Sequence, residues 1–310
     1  MVRPPADDEG TPVATPGRCP TPKVKMPGRG TFVGVAWSAA VGAGNHIVAA
    51  GLECAPDRVR LERLWRPFQD TPARHHVIER IAGWLAEETQ MADGRLTVGF
   101  DFPFSLAETQ LRQLGILRQA ISGPAALGRA LGERYMAAGA DVGAAADAVR
   151  GEVGRDRPRV TDCYRAVVPP SGRTTAMRRA LFGIVALSSV DASFLPWDAP
   201  RPGRTSVVEV HPPHVPRALA GICGYHDGDG PGRPAVRASI LRLLRGATRL
   251  RFEMEQAAQI IGDGQGVHLD AVLGAVAAAA AQAGSFEQVP HNVPRSEGWI
   301  YSIPEEPWRH

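Results

Sequence analysis

The sequence predicts an α/β fold built on a mixed sheet, and three observations carry that prediction. The run Arg95-Leu-Thr-Val-Gly-Phe-Asp-Phe-Pro-Phe-Ser105 is apolar at nearly every position and is stopped at Asp101 and Pro103, which suits a strand covered on both faces. Three short β-patterned segments precede it, separated by turn-like breaks. One amphipathic helical stretch then joins those segments to the Asp101 strand. Ligands collect at the carboxyl ends of parallel strands in open α/β sheets, so Asp101 is the first candidate for a functional site. A turn cap before Pro103 is the competing reading of the same residue.

Taken in order, residues 1–30 are rich in Pro, Gly and charge without apolar periodicity, and they read as a disordered tail outside the fold. Residues 31–37 form a first strand, 42–45 a turn and 46–52 a second strand. Residues 59–65 alternate apolar with charged side chains, as a third strand with one wet face would. Together these make a leading antiparallel meander. Val77, Ile78, Ile81, Trp84 and Leu85 recur at helical spacing, which predicts a helix over 76–89. Strand, strand, strand, helix, strand is the opening of an RNase H-like α/β core.

Beyond Asp101, residues 105–157 are helical in pattern and read as a helical insertion. Met177, Leu181, Ile184 and Leu187 share one face of a helix over 174–187, and 205–210 is a β-branched strand that carries Glu209. Helices are expected over 235–250 and 268–282, the second mostly Ala, whose small side chains permit close packing on a sheet. Glu297-Gly-Trp-Ile-Tyr301 reads as an edge strand or a closing arm, with 304–310 a short tail.

The chain has 310 residues, enough for one decorated domain with a sizeable core. Its formal charge is only +3, which permits an anionic partner without demanding one. Cys19, Cys54, Cys163 and Cys223 are far apart with no Cys-x-x-Cys pair, a pattern that argues against a structural zinc site or a disulfide framework. A cytoplasmic chain without membrane association is the resulting expectation.

Four segments, in this order, carry a family resemblance: Val98-Gly-Phe-Asp-Phe-Pro103, Val208-Glu-Val-His-Pro212, His268-Leu-Asp-Ala-Val-Leu273 and Glu297-Gly-Trp-Ile-Tyr301. They resemble the domain of unknown function 429 family, described as predicted nucleases of the RNase H-like fold. The likeness spans about 31–303, and Arg159-Val-Thr-Asp162 and Arg173 fall within it. It implies a carboxylate cluster at the strand ends that holds Mg2+ or Mn2+ for phosphodiester hydrolysis, with hard oxygen ligands on the metal. Carried onto this chain, Asp101, Glu209 and Asp270 are the catalytic and metal-binding acids, and Arg159, Asp162 and Arg173 the substrate-binding group. One acid departs from the pattern: where the resemblance expects Gly-x-Asp at the end of the first strand, this chain has Gly34-Val35-Ala36.

Each candidate has a plainer reading. Asp270 suits a helix N-terminus, and Glu209 an edge strand facing water. Asp162 and Arg173 suit a surface ion pair, and Arg242, Arg245 and Arg249 a solvated helix face or else a phosphate-binding stripe. His211-Pro-Pro-His214 and His226-Asp-Gly-Asp229 contain transition-metal ligand types and define a rival metal site. No Walker-type loop supports a kinase and no Gly-x-Ser-x-Gly elbow a serine hydrolase. The remaining alternative is a binding module whose cleft, lined by Arg159, Arg173 and the arginine stripe, holds a nucleic acid or nucleotide uncut.

Overall fold

The computed structural model of the protein describes residues 22–154, 158–165, 167, 169–226 and 232–303. The chain begins with β1 (Gly30–Ala36), α1 (Ala43–His46), β2 (Val48–Ala55), β3 (Arg58–Trp65), α2 (Arg74–Met91) and β4 (Leu96–Phe100). A helical stretch follows, made of α3 (Glu108–Gln113), α4 (Leu117–Ile121), α5 (Pro124–Ala137), α6 (Val142–Val153), α7 (Val160–Arg165) and α8 (Thr174–Ala186). Then come β5 (Ser193–Phe194), β6 (Ser206–Val210), α9 (His214–Ala220), α10 (Arg233–Thr248) and β7 (Leu250–Arg251). The last elements are α11 (Met254–Gly262), α12 (Val267–Ala283) and β8 (Ile300–Tyr301).

All eight described strands join one mixed sheet in the order β5-β6-β4-β1-β2-β3-β7, with β8 also on β6. β1, β2 and β3 form the expected antiparallel meander, and β4 lies parallel to β1 and β6 parallel to β4. The sheet separates two cores. Val33, Val35, Leu96, Val98, Phe100 and Val207 point into the layer formed by α2, the insertion helices and α8. Phe32, Ala36, Leu52, Val208 and Val210 point into the other layer, with α9, α10 and α12. Alternation along a strand therefore assigns every β residue to one layer or the other.

Helix α12 packs on the sheet at backbone distance because both surfaces lack side chains there. A Cβ on Gly34 would fall 2.0 Å from the Ala271 carbonyl oxygen, and one on Gly99 would fall 2.9 Å from that of Gly274. The buried alanines of α12 complete this close fit. Among the described residues no single helix is long and apolar enough to cross a membrane.

Several boundaries differ from the sequence reading. The 42–45 turn is instead part of the one-turn helix α1, and α2 extends beyond 76–89 at both ends. Two-residue strands β5 and β7 escape any periodicity argument, since two residues show no period. The expected tail is partly ordered: Val24 N–H donates to the Ala247 carbonyl (3.0 Å), and Val24 and Met26 pack on the core beside α10. Residues 1–21 and 304–310 of the expected tails lie outside the described residues.

The fit of α12 on β1 predicts opposite outcomes for two glycine substitutions. Gly34→Ala must push α12 off the sheet and should cost about 3 kcal/mol or more in urea unfolding. Gly132→Ala, in α5 with open space around it, should stabilise by roughly 0.5–1 kcal/mol.

Candidate functional site

Asp101 follows the last residue of β4, and its N–H donates to the Val35 carbonyl (3.0 Å), which continues the pairing with β1. The register sets Val35 beside Phe100, so Ala36 is the neighbour of Asp101 on the α12 side. Phe102 and Phe104 anchor the chain beyond it in an aromatic cluster, the Phe102 ring 5.0 Å from that of Trp37 and 5.3 Å from that of Phe104. Helix α8 reaches Phe102 through Gly183, where a Cβ would fall 2.3 Å from the ring. One turn earlier on the same helix face, Arg179 forms an ion pair with Asp101.

Asp101 is 6% exposed. Burial raises its pKa to about 7; Arg179 and His226 oppose the rise, and the nearby Asp270 carboxylate adds to it. Asp270 is not a helix cap, because Gly266 holds that position. Its side chain accepts from Tyr225 Oη (2.5 Å), while His226 Nε2 lies 2.9 and 2.8 Å from its two oxygens. Burial and the Asp270 charge push the Tyr225 hydroxyl well above its ordinary pKa, so it remains a donor. His211 lines the same cleft, and burial, with neighbouring cations, lowers its pKa to about 3 and keeps the ring neutral.

Glu209 lies across from Phe100 in the β4–β6 register, and therefore on the other side of the sheet from α12. It is not on a wet edge: β6 is flanked by β4, β5 and β8, and Glu209 is 2% exposed. Arg159 Nη1 and Nη2 donate to its oxygens at 2.8 and 2.5 Å, and Phe104 N–H donates at 2.8 Å. The same guanidinium donates to Asp162 (Nη2 to Oδ1, 2.8 Å), so Asp162 pairs with Arg159 and not, at the surface, with Arg173. Burial raises the Glu209 pKa while Arg159 pulls it down, and the two acids hold Arg159 charged against the opposing effect of its own burial. Glu297 closes the network by accepting Glu108 N–H (2.8 Å) and Val160 N–H (2.6 Å), the free donors at the starts of α3 and α7.

Asp101, Arg159, Arg173, Arg179, Glu209 and His211 border one cleft of about 330 Å3. Arg173 precedes α8; its carbonyl accepts from Met177 N–H (3.0 Å), and its guanidinium has no hydrogen bond or ion pair among the described residues. The arginine stripe is elsewhere: Arg242, Arg245 and Arg249 are exposed on α10, and Arg245 and Arg249 border a different cavity near β3 and β7. The rival histidine site does not assemble among the described residues. His214 Nδ1 bonds Ser302 Oγ (2.7 Å), His226 engages Asp270, and Asp227 and Asp229 lie outside the described residues. Among the described residues no three His, Cys, Asp or Glu side chains are grouped to hold a metal ion.

Sequence reasoning missed Arg179 and Tyr225, named Glu297 only within a segment of the family resemblance, and considered His226 only as a metal ligand. The one signal for Arg179 was Gly183 four residues later, a glycine inside a helix that marks close packing. Tyr225 and His226 approach Asp270 only through tertiary packing, across 45 and 44 residues of sequence.

These features define an α/β protein with a carboxylate and arginine cleft at the carboxyl ends of its parallel strands. The profile of the family described as Protein of unknown function (DUF429) matches residues 29–295, and the chain belongs to that family. Searches of curated proteins and of solved structures find no significant match.

Two predictions follow from these environments. Arg159→Met leaves Asp162 and Glu209 buried without their cation and should cost about 3–5 kcal/mol in urea unfolding, part of it recovered in Arg159→Met/Glu209→Leu. Asp101 keeps its proton up to about pH 7 when folded but only to near 3.8 when unfolded, so its contribution to stability is complete at low pH and is lost as the pH rises toward 7. Asp101→Asn abolishes that loss. In thermal melts with chelator, the variant should match the native chain near pH ~4 and exceed it by up to ~4 kcal/mol near pH ~8.

Proposed function

We propose that the protein is a phosphodiesterase or nuclease of the RNase H-like fold that works with one bound Mg2+ or Mn2+. The observation that carries this reading is the buried Asp101 carboxylate at the end of β4, paired with Arg179 in a cleft bordered by Arg173 and His211, with the Asp270 charge near enough to raise its pKa. The fold part is supported by the order β3-β2-β1-β4-β6, an antiparallel meander followed by strands parallel to β1.

The donor set suits one ion better than two. Mg2+ is commonly held by one or two carboxylates, with water and substrate phosphate completing its shell, and Asp101 and Asp270 supply two. Burial and a second acid oppose ionisation of Asp101, and a cation between the two carboxylates would relieve that opposition. A second ion lacks ligands, because Ala36 offers none and Glu209 lies on the other side of the sheet from α12, bound to Arg159. When bound, the ion would polarise a phosphoryl oxygen and acidify a bound water.

The chain's own residues would supply the rest. Arg173 and Arg179 receive phosphate oxygens, for which the planar guanidinium fork is well matched. Tyr225 and His226 hold the Asp270 carboxylate in orientation through hydrogen bonds. The Arg159, Asp162 and Glu209 network keeps β6 and α7 together at the cleft wall, so Glu209 serves in this reading as a positioning residue.

A second reading, nucleic-acid or nucleotide binding without cleavage, is favoured by the alanine at position 36 and the arginine on Glu209. Cleavage of single- and double-stranded DNA, RNA and hybrids, with Mg2+ or Mn2+, separates the two. The hydrolase reading expects cutting by the native chain that stops in chelator and falls about 100-fold or more in Asp101→Asn. Ala36→Asp, which adds a carboxylate beside Asp101, should tighten metal binding. If only Ala36→Asp cuts, the binding reading replaces the first; if nothing cuts and nothing binds, both fail.

A further inference from the structure

At the far edge of the sheet, and at the opposite end from Asp101, a cavity of about 740 Å3 is bordered by Arg58, Arg60, Arg245, Arg249 and Arg251. Three elements supply these residues. Arg58 and Arg60 are two apart on β3 and so point to one face, with Val59 buried between them. Arg251 on β7 is the register partner of Arg60, which sets two like charges side by side on adjacent strands. Arg245 and Arg249, four residues apart at the end of α10, form a second like-charge pair.

Such pairs are destabilising unless an opposite charge is present. Part of that charge is local: Arg60 lies 3.4 Å from Glu62 and 3.6 Å from Glu253, and Asp57 and Glu253 also border the cavity. Arg58, Arg245, Arg249 and Arg251 have no ion pair among the described residues. Arg249 also holds a left-handed backbone (φ 60°) at the end of α10, a position that favours glycine. The side chain present there is nonetheless a cation that borders the cavity.

We propose that this cavity is a binding site for a linear phosphate chain, presented by a single-stranded nucleic acid or by free polyphosphate. Five arginines from three elements border the cavity, four of them without an ion pair among the described residues; together they exceed what one phosphate can accept, whereas a chain with a charge at every link can meet them in turn. Arginine forks suit phosphate oxygens, and Phe252, half-buried at the rim, offers a ring on which a base can stack. The proposal does not depend on the reading of the Asp101 cleft, which lies at the other end of the strands.

The test is binding of a labelled oligonucleotide of about 20 nucleotides to the full chain in chelating buffer, which prevents metal-dependent cutting. Arg245→Ala/Arg249→Gly is the main variant, since both residues are exposed and glycine suits the backbone at 249. Arg242→Ala, exposed on the same helix but outside the cavity, is the control. The double variant should bind about tenfold or more weakly, with a salt dependence shallower by roughly 1.4 logarithmic units per decade, while Arg242→Ala binds as the native chain does. Competition with tripolyphosphate distinguishes the sources: displacement at equal phosphate concentration assigns the site to a free chain, and weak displacement to a strand. The proposal is overturned if the double variant binds like the native chain, if Arg173→Ala alone abolishes binding, or if oligoglutamate or anionic vesicles bind in place of both phosphate chains.

Discussion

The backbone contact between α12 and the centre of the sheet is the constraint on which the rest of the structure depends. Gly34 and Gly99 let the backbone of the sheet meet that of the helix, so that a methyl group at either position would collide with α12. Asp270 stands in the first turn of this helix, and its position over the strand ends follows from how closely the helix is seated. The same seating faces Ala36 and the residue parity of Asp101 toward α12. Packing glycines thus govern the site although none of them touches a ligand.

On the other side of the sheet a different principle operates. Arg159 is fully buried with two acids, and a buried charge is tolerable only when hydrogen-bonded to partners of opposite sign. The guanidinium joins α7 to β6, and Glu297 joins the starts of α3 and α7. Breaking any one of these contacts would leave a charge or helix donors unmet in a dry interior. The cleft therefore has one wall held by ion pairs and another by close apolar contact, with Arg179 bridging to Asp101 across the opening.

Much of the fold was legible in the chain. The meander, α2, β4, α8, β6, α10 and α12 each exceed four residues and show the period of their structure, so a one-dimensional pattern suffices. β5 and β7, two residues each, exist because a neighbouring strand offers an edge, which no local pattern encodes, while β8 falls in the 297–301 segment read as an edge strand or closing arm. Asp101 was named as a candidate from its strand end, and Asp270 and Arg173 from the family resemblance. Arg179 and Tyr225 were not named, because each acts on a partner 78 or 45 residues away.

The sequence by itself determined the longer elements and marked Asp101 and Glu209, because burial demands periodic apolar residues and carboxylates stand out against them; Asp270 entered through the family resemblance. Only the tertiary structure decided which acids share a face. Glu209 and Asp101 both stand at the ends of apolar β runs, yet strand alternation and the β4–β6 register turn Glu209 to Arg159 while Asp101 has the parity that faces α12, the helix of Asp270. Facing direction depends on register between strands, and register is set by packing in three dimensions, not by the spacing of residues along the chain.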